Sequence, residues 1–419
     1  MNENEPAFDT APSSELPPQA ATPSFSLDTR FIPFQFTGSG SEYFKIWIVN
    51  ILLSIVTLGI YSAWATVRTK RYFYGNTIFD QASFEYHATP IQILKGRIIA
   101  IVLVIAYVVL TQISPELAGI LILLLGFLSP WIVWSGLRFN ARMSSYRNVR
   151  FGFSGKLKRL IYIMLILPFI PVIIGFALVA ILMSIGLVFD TGSYANSFVV
   201  VIFTLAAIGF YAIAPYAHKL YTEYYFNHFH YGQGQFNTQL ETKNYYKIYL
   251  KMLLITIGVY IVVAIAIGFL VIPLIGATAS LGNDDPSIGS TISLSIIVGL
   301  FYFLIIVIGM FLNAYLKARI RNYSYNETQL DQVLRLHSDT SVLTLWKIYV
   351  LNLFLLVITL GLAHPWNKVR LARYETQTLK AEVAGTLDHY INQRQSEQSS
   401  LGDQIGDVFD LPIGSGLGL

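Results

Sequence analysis

His228 and His230 stand two residues apart in Tyr-Phe-Asn-His-Phe-His-Tyr, five residues after Glu223, and are the first candidates for chemistry in this chain. In an extended segment the two imidazoles would share one face and could bind a divalent cation, but no second pair at ligand spacing completes such a site. The surrounding aromatic residues fit an interfacial loop instead. His364 beside Pro365 reads the same way. No Gly-rich phosphate loop, HExxH, GxSxG or paired acidic motif is present, so no enzyme activity and no cofactor are expected. With no cysteine in the chain, thiolate metal sites, disulfides and a Cys nucleophile are excluded.

The remaining polar candidates lie in a segment that occurs twice. Residues 45–72, KIWIVNILLSIVTLGIYSAWATVRTKRY, recur 302 positions later at 347–374 as KIYVLNLFLLVITLGLAHPWNKVRLARY, with 12 of 28 positions identical and no gap. Each copy is an apolar run of about membrane length. The candidate functional positions are Asn50, Thr57, Gly59, Trp64, Arg68 and Arg71, with Asn352, Thr359, Gly361, Trp366, Arg370 and Arg373 in the second copy. The Asn and Thr side chains could line a narrow path at membrane depth or serve as helix-packing contacts.

The composition tells what must position them. The chain has 419 residues, of which 54% are hydrophobic and only 12% charged, half the usual charged share, which marks an integral membrane protein. Six further apolar runs, at about 98–113, 117–134, 160–189, 198–217, 252–281 and 292–315, lie between the repeated segments at 44–65 and 346–364. They read as three hairpins whose tips, at 114–116, 190–197 and 282–287, carry acidic residues and no Lys or Arg. Four opposite stretches hold 21 of the 28 basic residues, so the positive-inside rule makes them cytoplasmic. No charged residue falls well inside the six runs, which weighs against a carrier coupled through an intramembrane carboxylate. Runs 160–189 and 252–281 exceed a straight span, and Pro168, Pro171 and Pro273 offer kinks.

The expected fold is therefore all-α, a polytopic helical membrane protein with three transmembrane hairpins flanked by two homologous apolar segments. Those segments either span, antiparallel to each other, or re-enter on the cytoplasmic side with both termini cytoplasmic; the charge rule favours re-entry. Residues 1–33 read as a disordered tail, 34–380 as the membrane domain and 381–419 as a polar tail. A looser pattern recurs where the runs end: Pro130-Trp131, Pro215-Tyr216, Ala314-Tyr315 and Pro365-Trp366 each precede basic residues and a Tyr. A Phe follows in several cases (Phe84, Phe153, Phe236), suggesting a unit that leaves the membrane and makes a short turn or hairpin. The basic stretch 142–159 suits anionic lipid head groups. Nucleic acid is not an expected partner.

Phe36, Gly38, Gly40, Glu42, Phe44 and Asn50, followed by Thr57–Tyr61, Trp64, Val67, Arg68, Arg71 and Tyr72, form a specific opening. It resembles the YjgN-like family of bacterial inner-membrane proteins, which is defined by a domain of unknown function. The resemblance extends over nearly the whole chain and implies a multi-pass protein of the bacterial inner membrane. The family has no established activity from which a residue's role could be carried over. Two functions stay open at this point: a transporter or channel-like protein, and an adaptor that organises partners or anionic lipids at the cytoplasmic face.

Overall fold

A computed structural model describes residues 29–184, 195–266, 268–269 and 288–397. The chain before residue 29, most of the tip at 190–197, the tip at 282–287, Pro273 and the chain after 397 lie outside them. The described residues are mostly helical, and five helices, among them Pro90–Ile113 and Pro115–Arg142, are long and apolar enough to cross a bilayer.

The chain is nevertheless not all-α. Eleven strands among the described residues form one antiparallel sheet: β1 (Thr29–Pro33), β2 (Gln35–Phe36), β3 (Thr77–Phe79), β4 (Ala82–Tyr86), β5 (Ser144–Tyr146), β6 (Val149–Phe153), β7 (Phe229–Tyr231), β8 (Gly234–Thr238), β9 (Thr328–Leu330), β10 (Leu334–Ser338) and β11 (Leu379–Ala384). The order runs β1-β11-β10 and onward down to β3-β2, so its two ends are consecutive pieces of one stretch separated only by Phe34. β1 pairs with β11 and β2 with β3, while the Phe34 amide donates to Leu379 O at 3.1 Å. Residues 29–36 thus bridge both edges and bend the sheet into a nearly closed barrel, which leaves little edge exposed.

The helices are hung from this barrel with constant spacing. They are α1 (Gly40–Val56), α2 (Ser62–Gly75), α3 (Pro90–Ile113), α4 (Pro115–Arg142), α5 (Leu157–Ile161), α6 (Leu167–Ser184), α7 (Ala195–Asn227), α8 (Thr242–Ala266), α9 (Ile288–Asn326), α10 (Val342–Ile358) and α11 (His364–Gln377). A π-helical turn, Tyr162–Ile166, joins α5 to α6 just before Pro168. Each of Phe36, Tyr86, Phe153, Thr238 and Ser338 ends a strand four residues before the first residue of the next outgoing helix. The fifth of these units is assembled from both ends of the described chain, α11 and β11 with β1, β2 and α1.

Side chains at equivalent positions do the same work. Fourteen residues before each incoming strand stands a small or cyclic residue, Ala63, Pro130, Pro215, Ala314 or Pro365, and all five are fully buried where the helices converge. Two residues before those five strand ends stand Phe34, Phe84, Phe151, Phe236 and Leu336, and these fill the barrel together with Tyr146 and Tyr231. Phe151, not Phe153, shares the register of Phe84 and Phe236. Five residues before four of the five incoming strands a Tyr hydroxyl reaches the start of the neighbouring unit's helix. Tyr72 donates to Ser39 O at 2.9 Å, Tyr224 to Lys156 O at 3.2 Å and Tyr374 to Ser341 O at 3.1 Å, while Tyr323 accepts from Glu241 N at 2.8 Å.

The fifth junction carries Phe139 at that position and lacks the hydroxyl. Phe139→Tyr is expected to supply the missing bond and raise the melting temperature. Tyr374→Phe loses both the Ser341 O acceptor and the Ser341 N–H donor at 2.8 Å, a cost of about 1–2 kcal/mol. Melting curves of the purified protein check the pair; a stabilising Tyr374→Phe would show that these hydroxyls do not tie the units together.

Residues 381–397, read from composition as part of a polar tail, instead carry most of β11 and a helix at 387–397. Leu387, Tyr390 and Ile391 of that helix pack with Tyr146, Val149, Tyr231 and Val383 in the barrel's apolar core. Their spacing puts them on one helix face, so the rest of the segment can stay polar.

Candidate functional site

The repeated segments are helical hairpins: α1 and α2 in the first copy, α10 and α11 in the second. Each leaves the barrel and returns to it, so both ends of each copy lie on the same side of the molecule. Thr57 and Thr359 organise the reversal. Thr57 Oγ1 donates to Leu53 O at 2.7 Å and accepts from Tyr61 N at 2.9 Å; Thr359 does the same with Leu355 O at 2.7 Å and Ala363 N at 2.8 Å. Leu58 and Leu360 follow at φ 49°, then Gly59 and Gly361 at φ 89° and 93°, a left-handed conformation open to glycine. The Leu side chains at the tips are 94% and 92% exposed, so each tip is an apolar point suited to lipid, not to a polar path.

Within each hairpin an Arg crosses to the Asn of the opposite helix. Arg370 Nη1 donates to Asn352 Oδ1 at 2.6 Å, and Asn367 closes a reciprocal pair, its Nδ2 donating to Asn352 O at 2.8 Å. In the first copy Arg68 Nη1 lies 3.4 Å from Asn50 Oδ1 and 3.1 Å from the Tyr61 hydroxyl, and the buried Asn50 Nδ2 has no partner. The difference arises because Ala65 occupies the position matching Asn367. The same motif is therefore tightly satisfied in one copy and loosely in the other.

The other predicted positions hold the scaffold. Arg71 donates to Tyr86 O and Ala88 O, and Arg373 to Gly38 O at 3.0 Å, so both fasten a strand-to-helix link. Trp64 stacks on Tyr61 with ring centroids 6.1 Å apart. Trp366 packs against Phe44 at 5.1 Å and covers Gly40, where an added Cβ would fall 2.3 Å from the indole. This contact joins the two hairpins, α1 against α11. His228 and His230 each bond a backbone carbonyl at 2.9 Å, of Tyr224 and Gly232, while Glu223 pairs with Lys219 at 2.8 Å.

Sequence reasoning missed a cavity of about 850 Å³ between the barrel and the helices. Its lining comes from four of the five units. Phe34 and Phe84 of the barrel's phenylalanine ring contribute one wall, and Phe73, Lys317, Arg321 and Glu375 stand on the incoming helices α2, α9 and α11. Lys317 Nζ pairs with Glu375 Oε1 at 2.5 Å, and Arg321 donates to the Glu375 backbone carbonyl. The recurring Phe in the hairpins and the basic residues after Ala314-Tyr315 were the visible traces of this site. Below the cavity the barrel is packed, and the helix 387–397 covers its hairpin tips: Arg394 Nη2 reaches Asp331 Oδ2 at 3.0 Å and Arg147 Nη1 reaches Asp388 Oδ1 at 2.6 Å.

Comparison with known proteins gives a consistent picture. The profile of a family described as a bacterial protein of unknown function, DUF898, matches residues 31–408. The inner membrane protein YjgN of Salmonella typhimurium is 30% identical over 360 residues, covering 84% of this chain and 88% of that protein. The inner membrane protein YjgN of Escherichia coli K12 is 30% identical over 220 residues, covering 52% of this chain and 54% of that protein. No solved structure matches.

Proposed function

This chain belongs to the DUF898 family of bacterial proteins, and from that premise we propose that it is a multi-pass inner-membrane protein that moves a small molecule through a gated compartment. The observation that carries this reading is the 850 Å³ cavity between barrel and helices, a size typical of sites for small ligands. The packed barrel and its covering helix favour a carrier-like device over an open channel, and the reading assigns no catalysis. The barrel faces the cytoplasm, because the four basic stretches and both ends of the described chain lie on its side.

Four outgoing helices carry an exposed lysine at the same position, five residues after the first: Lys45, Lys95, Lys247 and Lys347. At one height above the barrel they would meet lipid phosphates of the inner leaflet, which also supports the second reading, an adaptor that gathers anionic lipid. Because the chain has no cysteine, single Cys variants test the proposal directly. Gln233→Cys at a hairpin turn should react with an impermeant thiol reagent in inside-out vesicles and resist it in intact spheroplasts. Thr376→Cys on the cavity wall should react from at least one face, and inertness from both faces in folded protein would remove the cavity as a transport compartment.

A further inference from the structure

Resting on the cavity reading above, we propose that the occupant is an amphipathic anion, a carboxylate or phosphate head seated against Arg321 with its apolar body on the aromatic wall. The charges on the wall do not balance. Glu375 is ion-paired with Lys317 at 2.5 Å, and its backbone carbonyl takes one N–H of Arg321. No carboxylate among the described residues lies within ion-pair distance of Arg321, whose plane instead rests 5.5 Å from the Tyr325 ring centre. Arg321 Nε is buried and has no hydrogen-bond partner. That nitrogen is enclosed by protein, but the guanidinium lines the cavity with no carboxylate to neutralise it, so an anionic oxygen at its outer N–H groups completes it, and its fork geometry suits carboxylate and phosphate alike.

The rest of the lining sets the body of the ligand. Phe34, Phe73, Phe84 and Tyr325 offer ring faces, and Leu316, Ile320 and Leu379 extend the apolar surface. A free inorganic anion would leave this surface unused, and a neutral hydrocarbon would leave Arg321 unpaired. An amphiphile with one negative head satisfies both ends. The head binds where α9 meets the barrel, seven residues before β9 begins at Thr328.

The test uses the full chain in nanodiscs of zwitterionic lipid and measures binding of dodecanoate, dodecyl phosphate and dodecanol. Both anions should bind at least about tenfold tighter than the alcohol. Arg321→Gln should erase that preference while Arg321→Lys keeps part of it. Ala372→Trp, which fills the cavity without altering its charge, should abolish binding of all three and serves if Arg321→Gln does not fold. Equal binding of dodecanoate and dodecanol by the unaltered chain would overturn the anion assignment and leave the transport compartment standing. Full competition by inorganic phosphate would overturn the amphipathic assignment, and unchanged binding in Ala372→Trp would place the site elsewhere and overturn the proposal.

Discussion

Ending the chain at Gly385 should destabilise the barrel by several kcal/mol. The truncation removes Leu387, Tyr390 and Ile391, which are 3%, 7% and 2% exposed, and each such burial is worth about 1.5–3 kcal/mol. It also strands polar groups that the helix now satisfies. The Tyr390 hydroxyl donates to Asp331 Oδ2 at 2.7 Å, Arg394 reaches the same carboxylate and Gln395 donates to Arg147 O at 2.6 Å. Burial pushes the Tyr390 hydroxyl up from its ordinary pKa, and the Asp331 carboxylate adds to the shift, so it remains a donor at neutral pH. Thermal unfolding and protease cleavage at the hairpin turns report the result. A truncated chain that melts with the full one would show that the barrel closes without its cover.

The second large effect is an asymmetry between identical substitutions in the two repeat copies. Asn352→Leu removes the acceptor 2.6 Å from Arg370 and breaks the reciprocal bonding with Asn367, leaving a partly buried cation without its main partner. The expected cost is about 2–4 kcal/mol, below the range for a fully buried pair because Arg370 keeps some solvent contact. Asn50→Leu removes only a 3.4 Å contact to the exposed Arg68, which keeps the Tyr61 hydroxyl, and it deletes a buried Nδ2 that has no partner. It should cost little or even stabilise. Melting temperatures of the two variants in one detergent decide the matter, and equal losses would mean that both hairpins rely on the Asn–Arg pair alike.

The predicted site residues were legible as positions and not as roles. Thr57, Gly59, Thr359 and Gly361 stood out because a Thr-Leu-Gly break interrupts an apolar run, and the structure spends them on turning the chain. Arg71 and Arg373 stood out as basic residues at a membrane edge, and they bind backbone carbonyls of the strand-to-helix links. Of the cavity residues, Lys317 and Glu375 carried no motif, and Arg321 stood only among the basic residues that follow Ala314-Tyr315. Two of them lie on α9 and one on α11, and only the convergence of those helices over the barrel brings them together.

By itself the sequence determined that this protein belongs in a membrane, where its long apolar helices lie, and that its basic residues collect in stretches between them. Hydropathy and charge asymmetry are local properties, and a bilayer acts on each segment separately. The barrel was decided by the tertiary structure alone. Its strands of two to six residues are too short to show an alternating pattern, and hairpin turns such as Asp80-Gln81 and Asp331-Gln332 take positive φ without glycine. Its closing pairing sets Thr29 against Ala384, residues from opposite ends of the described chain, and no periodicity along a sequence records a contact of that range.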